Sequence, residues 1–483
     1  MTARSPTASP SVPPHPGAVA LVHGLGRFGG GREAVRYLAR AGWTVRIADK
    51  SAGDDLQAVR AAMSDLRTLD WQLGREDEAL LADVALFVAN PGVPEGNPLL
   101  QAARARGVPI TQEADLFLAD YPGRVVAVTG TNGKSTTSTL LHRALQTSGV
   151  DALLGGNIGH SLLAEVAHWR PDQVAVLEIS SFQLERLHAD RRVHGAVFTR
   201  VLKDHVDRHG TLDAYHRAKG RLATAASAFV VHAADDPVAS AYASDVPLRL
   251  RYAATTPAPH SAGLVDGFVA LRLARDPAER IVHQDALRLL GAFQVENVMA
   301  ASLAARCVGG TPHGIGVAMA NAAPLPFRLQ LVATRDGVRI YDNGVSTEVE
   351  STRSALQTLS ALQTQAGRVH WLGGGKSKDG DYATVAAAVV PHIASAHLFG
   401  AAAAPLAAEI GSARPTTVST TLREALAKAL AAAEPGDAVL WSPAFASFDQ
   451  YPNFRARALE FHALLAAATT GSTPPASSAS GAM

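Results

Sequence analysis

The chain has 483 residues, room for about three domains at roughly 150 residues each. Its 44 Lys and Arg balance 43 Asp and Glu to leave a formal charge of +1, which excludes the broad basic footprint of a nucleic-acid binder. With 47% apolar and 18% charged residues, the composition is that of a packed globular enzyme rather than a disordered or fibrous protein.

Residues 1–16 are rich in Pro and Ser, lack an apolar core, and read as a disordered tail rather than a signal peptide. Residues 469–483, with their Ser, Pro and Gly, read as a second tail. Between the tails, short apolar runs alternate with Ala/Leu/Arg segments of helical spacing, the pattern of βαβ units and parallel sheets. The predicted strands, in chain order, are Ala18–Val22, Thr44–Ala48, Val84–Val88, Val125–Val128, Val174–Ile179, Gly195–Thr199, Phe229–His232, Val369–Leu372, Ala396–Phe399 and Ala438–Trp441. Turn-rich boundaries near Gln112 and Pro324–Pro326 divide the chain into three α/β domains at 17–112, 113–325 and 326–468. The first and third are expected to be Rossmann-like and the central one P-loop ATPase-like.

The apolar stretch from Ala383 to Ile410 is interrupted by Pro391, His392, His397 and Pro405, so it does not read as a membrane span. The single cysteine, Cys307, excludes an intramolecular disulfide and fits a reducing compartment. Beside an Ala-rich segment it reads as a small packing residue rather than a catalytic thiol. The expectation is a cytoplasmic monomer that engages neither membrane nor nucleic acid.

In the first domain, Gly24-Leu25-Gly26-Arg27-Phe28-Gly29 follows one strand, and Asp49 closes the next about twenty residues on. That context suits recognition of a nucleotide diphosphate, with a carboxylate for its ribose or base, and does not say which nucleotide. Asn90-Pro91-Gly92-Val93 follows a third strand onto the same edge of the sheet; a plain turn explains it equally well.

In the central domain, the buried run Val125–Val128 leads into Gly130-Thr131-Asn132-Gly133-Lys134-Ser135-Thr136. Backbone N–H groups and a helix N-terminus cradle polyphosphate there, Lys134 adds a point charge, and Ser135 or Thr136 offers a hydroxyl to Mg²⁺. A standard P-loop has glycine where Val128 stands. Glu178 exits a buried strand beside this loop, well placed to hold Mg²⁺ directly or through water. Asp204-His205-Val206-Asp207-Arg208-His209 crowds acids and imidazoles into one short turn. Lys219, by local sequence alone, reads as a surface lysine on a helix.

In this order, the blocks at 130–136, Gly156-Asn157-Ile158-Gly159, Glu178 to Leu184 and Asp204 to His209 resemble those of the Mur ligases, ATP-dependent amide-forming enzymes of peptidoglycan precursor assembly. The resemblance runs from about Ala20 to Phe461. The block from Ser442 to Phe454 is similar to that of the branch joining D-glutamate to UDP-N-acetylmuramoyl-L-alanine through an acyl phosphate. The resemblance implies that Leu25, Gly26, Arg27, Asp49 and Gly92 hold the UDP end of the sugar nucleotide. It puts Gly130, Thr131, Asn132, Gly133, Lys134, Ser135, Thr136, Asn297 and Arg328 on ATP. It assigns Ser135, Glu178, His205 and Lys219, the last as a carbamate, to two Mg²⁺ sites. Asn157 falls near the reacting carboxylate, with Lys134, His205 and Lys219 as its catalytic companions. Thr347, Lys378, Ser447 and Phe454 fall on D-glutamate, with Lys376 an alternative to Lys378.

The chain departs from the family pattern at Phe293-Gln294, where His-Asn is usual, at Pro326-Phe327-Arg328-Leu329-Gln330, and at Asp342-Asn343, apparently an exchanged pair. Other readings stay open. One is a Mur-type ligase with a different acceptor, and another a folate-polyglutamylating ligase, which would lack the first domain. A third is an NAD(P)-dependent oxidoreductase fused to a P-loop module, and the last a binding protein without catalysis.

Overall fold

The computed structural model describes residues 18–26, 29–51, 56–66, 69–274, 276–362, 367–378 and 380–470. They gather into two compact units: one holds the residues through Leu287 together with Val295–Ala322, the other Arg288–Gln294 and the residues from Ala323 on.

Unit 1 carries two sheets. The first is formed by β1 (Val19–His23), β2 (Thr44–Asp49), β3 (Leu69–Leu73), β4 (Val84–Ala89) and β5 (Ile110–Thr111), all parallel, in the order β3-β2-β1-β4-β5. Every residue of β1 is buried, as expected of a strand covered on both faces. The order reverses between β1 and β4, and a ligand crevice opens at the carboxyl ends of such neighbours. Gly24–Gly26 and Asn90–Val93 both leave the sheet there.

The second sheet is formed by β6 (Arg124–Thr129), β7 (Ala152–Gly156), β8 (Val174–Glu178), β9 (Val193–Phe198), β10 (Ala226–Ala233), β11 (Leu248–Tyr252), β12 (Ser261–Val265), β13 (Phe268–Arg272) and β14 (Glu279–His283). Their order is β14-β13-β12-β11-β10-β9-β6-β8-β7. Its centre is parallel: β6 lies between β8 and β9, so the phosphate loop, Glu178 and the 199–209 segment leave one edge together. The far end, β12 to β14, is antiparallel, outside the βαβ pattern read from the sequence.

Unit 2 holds β15 (Gln330–Arg335), β16 (Val338–Asp342), β17 (Val369–Gly374), β18 (Ser395–Phe399), β19 (Thr416–Ser419) and β20 (Ala438–Ala444) in the order β15-β16-β20-β17-β18-β19. Only the β15–β16 pair is antiparallel. Inside this sheet runs a line of polar side chains. His370 lies 2.9 Å from Asp437 Oδ2 through Nε2 and 2.8 Å from Ser395 Oγ through Nδ1; His397 lies 2.8 Å from Ser395 Oγ and 3.0 Å from Thr417 Oγ1.

All ten predicted strands are present, each within three residues of its expected bounds. The tail at 469–483 begins two residues later than expected, because the helix Phe454–Thr470 runs into it; the remainder, like residues 1–16, lies outside the described residues. Cys307 closes the helix Ala292–Cys307 half-buried, with burial pushing its thiol up to about 12, so it is a poor nucleophile. Among the described residues, no helix is long and apolar enough to cross a membrane.

Candidate active site

At the β1–β4 crevice the glycine turn is forced by space. Gly24 and Gly26 have φ of 84° and 70°, and a Cβ on Gly26 would come within 2.5 Å of the Asn90 amide. A Cβ on Gly31 would strike the carbonyls of Gly24 and Leu25 at 2.6 Å, so the close approach of helix Gly30–Arg40 to the loop depends on Gly31. Asp49 Oδ2 accepts from the Leu25 N–H at 2.9 Å, and Oδ1 from Ser51 N–H at 3.0 Å. Leu25, Gly26, Asp49 and Gly92 therefore converge on one edge, while Arg27 lies outside the described residues. Asn90–Val93 is indeed a turn, closed by Val93 N–H to Asn90 O at 2.9 Å and by Gly92 N–H to Asn90 Oδ1 at 2.9 Å. It is also more than a turn, because its Asn90 side chain lines the glycine loop.

At the β6 exit, Gly130 and Gly133 take φ of 145° and 82°, and Gly133 caps the helix Lys134–Thr147. The pattern Gly-Thr-Asn-Gly-Lys-Ser-Thr thus lies where the positive end of a helix meets a turn. Lys134 Nζ donates to Gly130 O at 3.0 Å and Thr131 O at 2.8 Å. The loop is braced by the segment after β9: Thr131 N–H donates to Arg200 O at 2.7 Å, and the Leu202 N–H donates to Thr131 Oγ1 at 2.8 Å. Asn297 is packed under it, its Oδ1 accepting from Thr137 Oγ1 at 3.2 Å and lying where a Cβ of Gly133 would sit. Thr136 is buried, and Ser135 is partly exposed beside Lys134.

Lys219 is no surface lysine. It is 2% exposed, its Nζ donates to Gly130 O at 2.7 Å, and it sits 4.9 Å over the Tyr215 ring. Burial, and next the nearby Lys134 charge, hold its ammonium well below the usual lysine range. Tyr215, one turn earlier on the same helix, also places its hydroxyl 2.8 Å from Thr131 Oγ1. Sequence reasoning passed over Tyr215, although its four-residue offset from Lys219 puts both on one helix face.

Glu178 is 1% exposed; one carboxylate oxygen accepts from Asn157 Nδ2 at 3.0 Å, while the other, Oε2, is buried with no hydrogen-bond partner among the described residues. A buried polar oxygen left unpaired is costly, and a cation beside it would remove that cost. Glu178, Asn157 and Ser135 carry the hard oxygen atoms that Mg²⁺ takes, alongside waters and substrate phosphates. The described residues contain no group of three or more His, Cys, Asp or Glu side chains placed to hold a metal ion. His205 takes the left-handed conformation (φ 50°, ψ 28°) at the start of Val206–His209, a strain common at functional positions. Its Nε2 is 3.3 Å from Asp204 Oδ2 and its ring 4.9 Å from Phe182.

In unit 2, Lys376 and Ala446 exchange backbone hydrogen bonds at 2.8 and 3.2 Å, tying the Lys378 loop to the Ser447 loop. Lys378 pairs with Glu348, the residue after Thr347, so Thr347, Lys378 and Ser447 belong to one neighbourhood. Arg328 lies between two residues of positive φ, Phe327 at 66° and Leu329 at 47°. Phe454 opens the helix Phe454–Thr470, which carries Arg457. Arg457 is fully buried and donates to the carbonyls of Gly374, Ala446 and Phe445; nothing in its surroundings in the sequence marks it.

Three family profiles match the chain: a Mur ligase MurD-like N-terminal domain over residues 18–112, a Mur ligase middle domain over 128–305, and a Mur ligase glutamate ligase domain over 327–445. A protein of Geobacter metallireducens named UDP-N-acetylmuramoylalanine--D-glutamate ligase is 34% identical over 464 residues, covering 94% of this chain and 98% of its own. Proteins of the same name from Acidobacterium capsulatum and Sphingopyxis alaskensis are 33% and 35% identical, covering 93% and 91% of this chain and 96% and 98% of theirs. Among solved structures, UDP-N-acetylmuramate-alanine ligase from Thermotoga maritima superposes with a TM-score of 0.62 at 15% identity, over 93% of this chain and 99% of that one. A pseudomurein peptide ligase type C from Methanothermus fervidus gives 0.56 at 18% identity, over 88% and 97%; at these identities the structures speak for the fold.

Proposed function

The chain belongs to the Mur ligase family, and from that premise we propose that it joins D-glutamate to UDP-N-acetylmuramoyl-L-alanine with ATP in peptidoglycan precursor synthesis. The observation that carries this reading is the near full-length likeness to D-glutamate ligases. The site geometry supports it.

The reaction must bring a carboxylate against a triphosphate, two anions that repel. The carboxylate oxygen attacks the γ-phosphorus, the bond to ADP breaks, and an acyl phosphate forms. The D-glutamate amine then attacks the acyl carbon, phosphate leaves, and the amine loses a proton to give the amide. Lys134, the loop N–H groups and the start of helix Lys134–Thr147 stabilise charge on the transferring phosphoryl oxygens. Mur ligases use Mg²⁺, which supplies further positive charge at this point when bound. Ser135, Glu178, His205 and Lys219 would hold it, in two sites, and Asn157 keeps the Glu178 carboxylate turned.

Lys219 fits that role only after its charge is reversed. Its depressed ammonium leaves a neutral amine available, whose lone pair can attack CO₂ while an N–H proton passes to solvent, giving a carbamate. The product puts an anion beside Lys134, where an ammonium would meet a like charge. Leu25, Gly26, Arg27, Asp49 and Gly92 hold the UDP end, Asn297 and Arg328 the nucleotide, and Thr347, Lys378, Ser447 and Phe454 the D-glutamate. The protein works in the cytoplasm as a monomer.

Release of ADP in the presence of UDP-N-acetylmuramoyl-L-alanine should occur with D-glutamate and not with L-alanine, diamino acids or dipeptides. Turnover with one of those instead would move the chain to another acceptor.

A further inference from the structure

We infer that Arg186, with Arg208 beside it, is a positioning residue that sets the UDP-binding turn from the neighbouring domain of unit 1. Arg186 ends the helix Ser181–Arg186, directly after the block that begins at Glu178, and its side chain is only 5% exposed. Its guanidinium is spent wholly on the 90–95 segment. Nη1 donates to Asn90 O at 3.1 Å, Nη2 to Val93 O, and Nε to Glu95 Oε1. Arg208 donates to the same Val93 carbonyl at 3.0 Å, and Arg104 holds the other Glu95 oxygen at 2.6 Å.

The two carbonyls captured are those at the ends of the Asn90–Val93 turn. The Asn90 side chain between them accepts from Gly92 N–H and lies against Gly24 and Gly26. A guanidinium presents a flat, rigid fork of donors, so three acceptors bound at once fix the position and tilt of the turn. Arg208 follows His205 by three residues and lies over the Phe182 ring at 5.3 Å. The same clamp therefore joins the UDP turn to the short segment bearing His205. Neither arginine touches the sugar nucleotide in this scheme; each acts through the turn.

This inference rests on the reading that Gly92 and its turn hold UDP, and the test separates the two. UDP binding would be measured by calorimetry, and KM for UDP-N-acetylmuramoyl-L-alanine and for ATP by ADP release, in the full chain. Arg186→Ala should weaken UDP binding and raise KM for the sugar nucleotide about tenfold, with kcat and the KM for ATP within about twofold. Arg186→Lys, one donor head for three acceptors, should recover only part of the loss. If Arg186→Ala does not fold, Glu95→Gln keeps the shape, removes the charge and should weaken UDP binding two- to fivefold. A folded Arg186→Ala, or Glu95→Gln in its place, that binds UDP as the parent does overturns the inference. So does a variant in which kcat falls and the KM for ATP rises along with that for the sugar nucleotide. A parent protein that ignores UDP overturns the reading of the turn as well.

Discussion

Lys219 Nζ and Lys134 Nζ both donate to the single carbonyl oxygen of Gly130, at 2.7 and 3.0 Å. Two ammonium groups on one acceptor, one of them buried, form an arrangement that favours loss of a positive charge, and the buried partner is the one whose ammonium is depressed. The phosphate loop thus holds a lysine whose positive charge is disfavoured by burial and by Lys134.

Lys219→Ala should lower kcat at least 100-fold, on the order of 3 kcal/mol of transition-state stabilisation. Added short-chain carboxylate should restore part of it by standing in for the carbamate. Activity of the parent should also fall when CO₂ is stripped from the buffer. Full turnover by Lys219→Ala without rescue rules out a metal-holding role.

Lys134→Ala should abolish ATP use, by on the order of 10³-fold or more, since it removes the positive charge nearest the transferring group. UDP binding by calorimetry should stay within about twofold, because the UDP residues belong to another sheet. Loss of both together would point to a folding defect instead.

Glu348 pairs with the Lys378 ammonium, so an acidic amino acid that used Lys378, as proposed, would compete with it. Pairs this exposed, at 35% and 29% for the two side chains, are worth about 0.2–1 kcal/mol. Glu348→Gln should accordingly lower KM for D-glutamate up to about fivefold, with kcat little changed. A rise in that KM would instead make Glu348 part of the amino-acid seat.

Burial, then the neighbouring His370 and Lys428, lowers His397 from 6.5 to about 4. A histidine whose folded value is depressed is neutral in the fold and protonated when unfolded across that window. Its contribution is thus intact above pH 6.5 and is lost as pH falls towards 4. At about 1.4 kcal/mol per unit the loss approaches ~3 kcal/mol. Comparing denaturant midpoints at pH 7 and 4.5, His397→Asn should show a smaller drop than the parent. An identical drop would place the pH sensitivity elsewhere.

The parallel core of each sheet was legible because buried strands such as Val125–Val128 are continuous apolar runs flanked by glycine turns. The antiparallel pairs were not read, although their signal was present. Val265 pairs with Phe268 around Asp266-Gly267, and Arg335 with Val338 around Asp336-Gly337. In both, the Asp and Gly have positive φ, the two-residue hairpin that Asp-Gly specifies. The outer strands β14 and β15 hold one buried residue and none, and the more buried β12 and β16 are broken by Gly and Arg, so continuous apolar runs do not mark these pairs. The phosphate loop and the Asp204–His209 turn were legible as motifs because their chemistry is local. Lys219, Arg186 and Arg457 were not, since what distinguishes each is burial against carbonyls distant in sequence.

With His370 neutral, the polar line through the unit 2 sheet has one way to place its hydrogens. Burial opposes the charge on Asp437, but the N–H groups of Glu434 and Arg368 and the side chain of His370 hold it ionised, at about 2. A carboxylate only accepts, so His370 must give it the Nε2 proton and take one from Ser395. Ser395 then has nothing left to offer His397, which must give, and must in turn be given to by Thr417. The five residues read like a sentence with one word order. An Asp437→Asn replacement, which can offer a hydrogen where the original cannot, would let the sentence be read backwards. Strands β17, β18 and β19 would then share two competing tautomeric grammars in place of one.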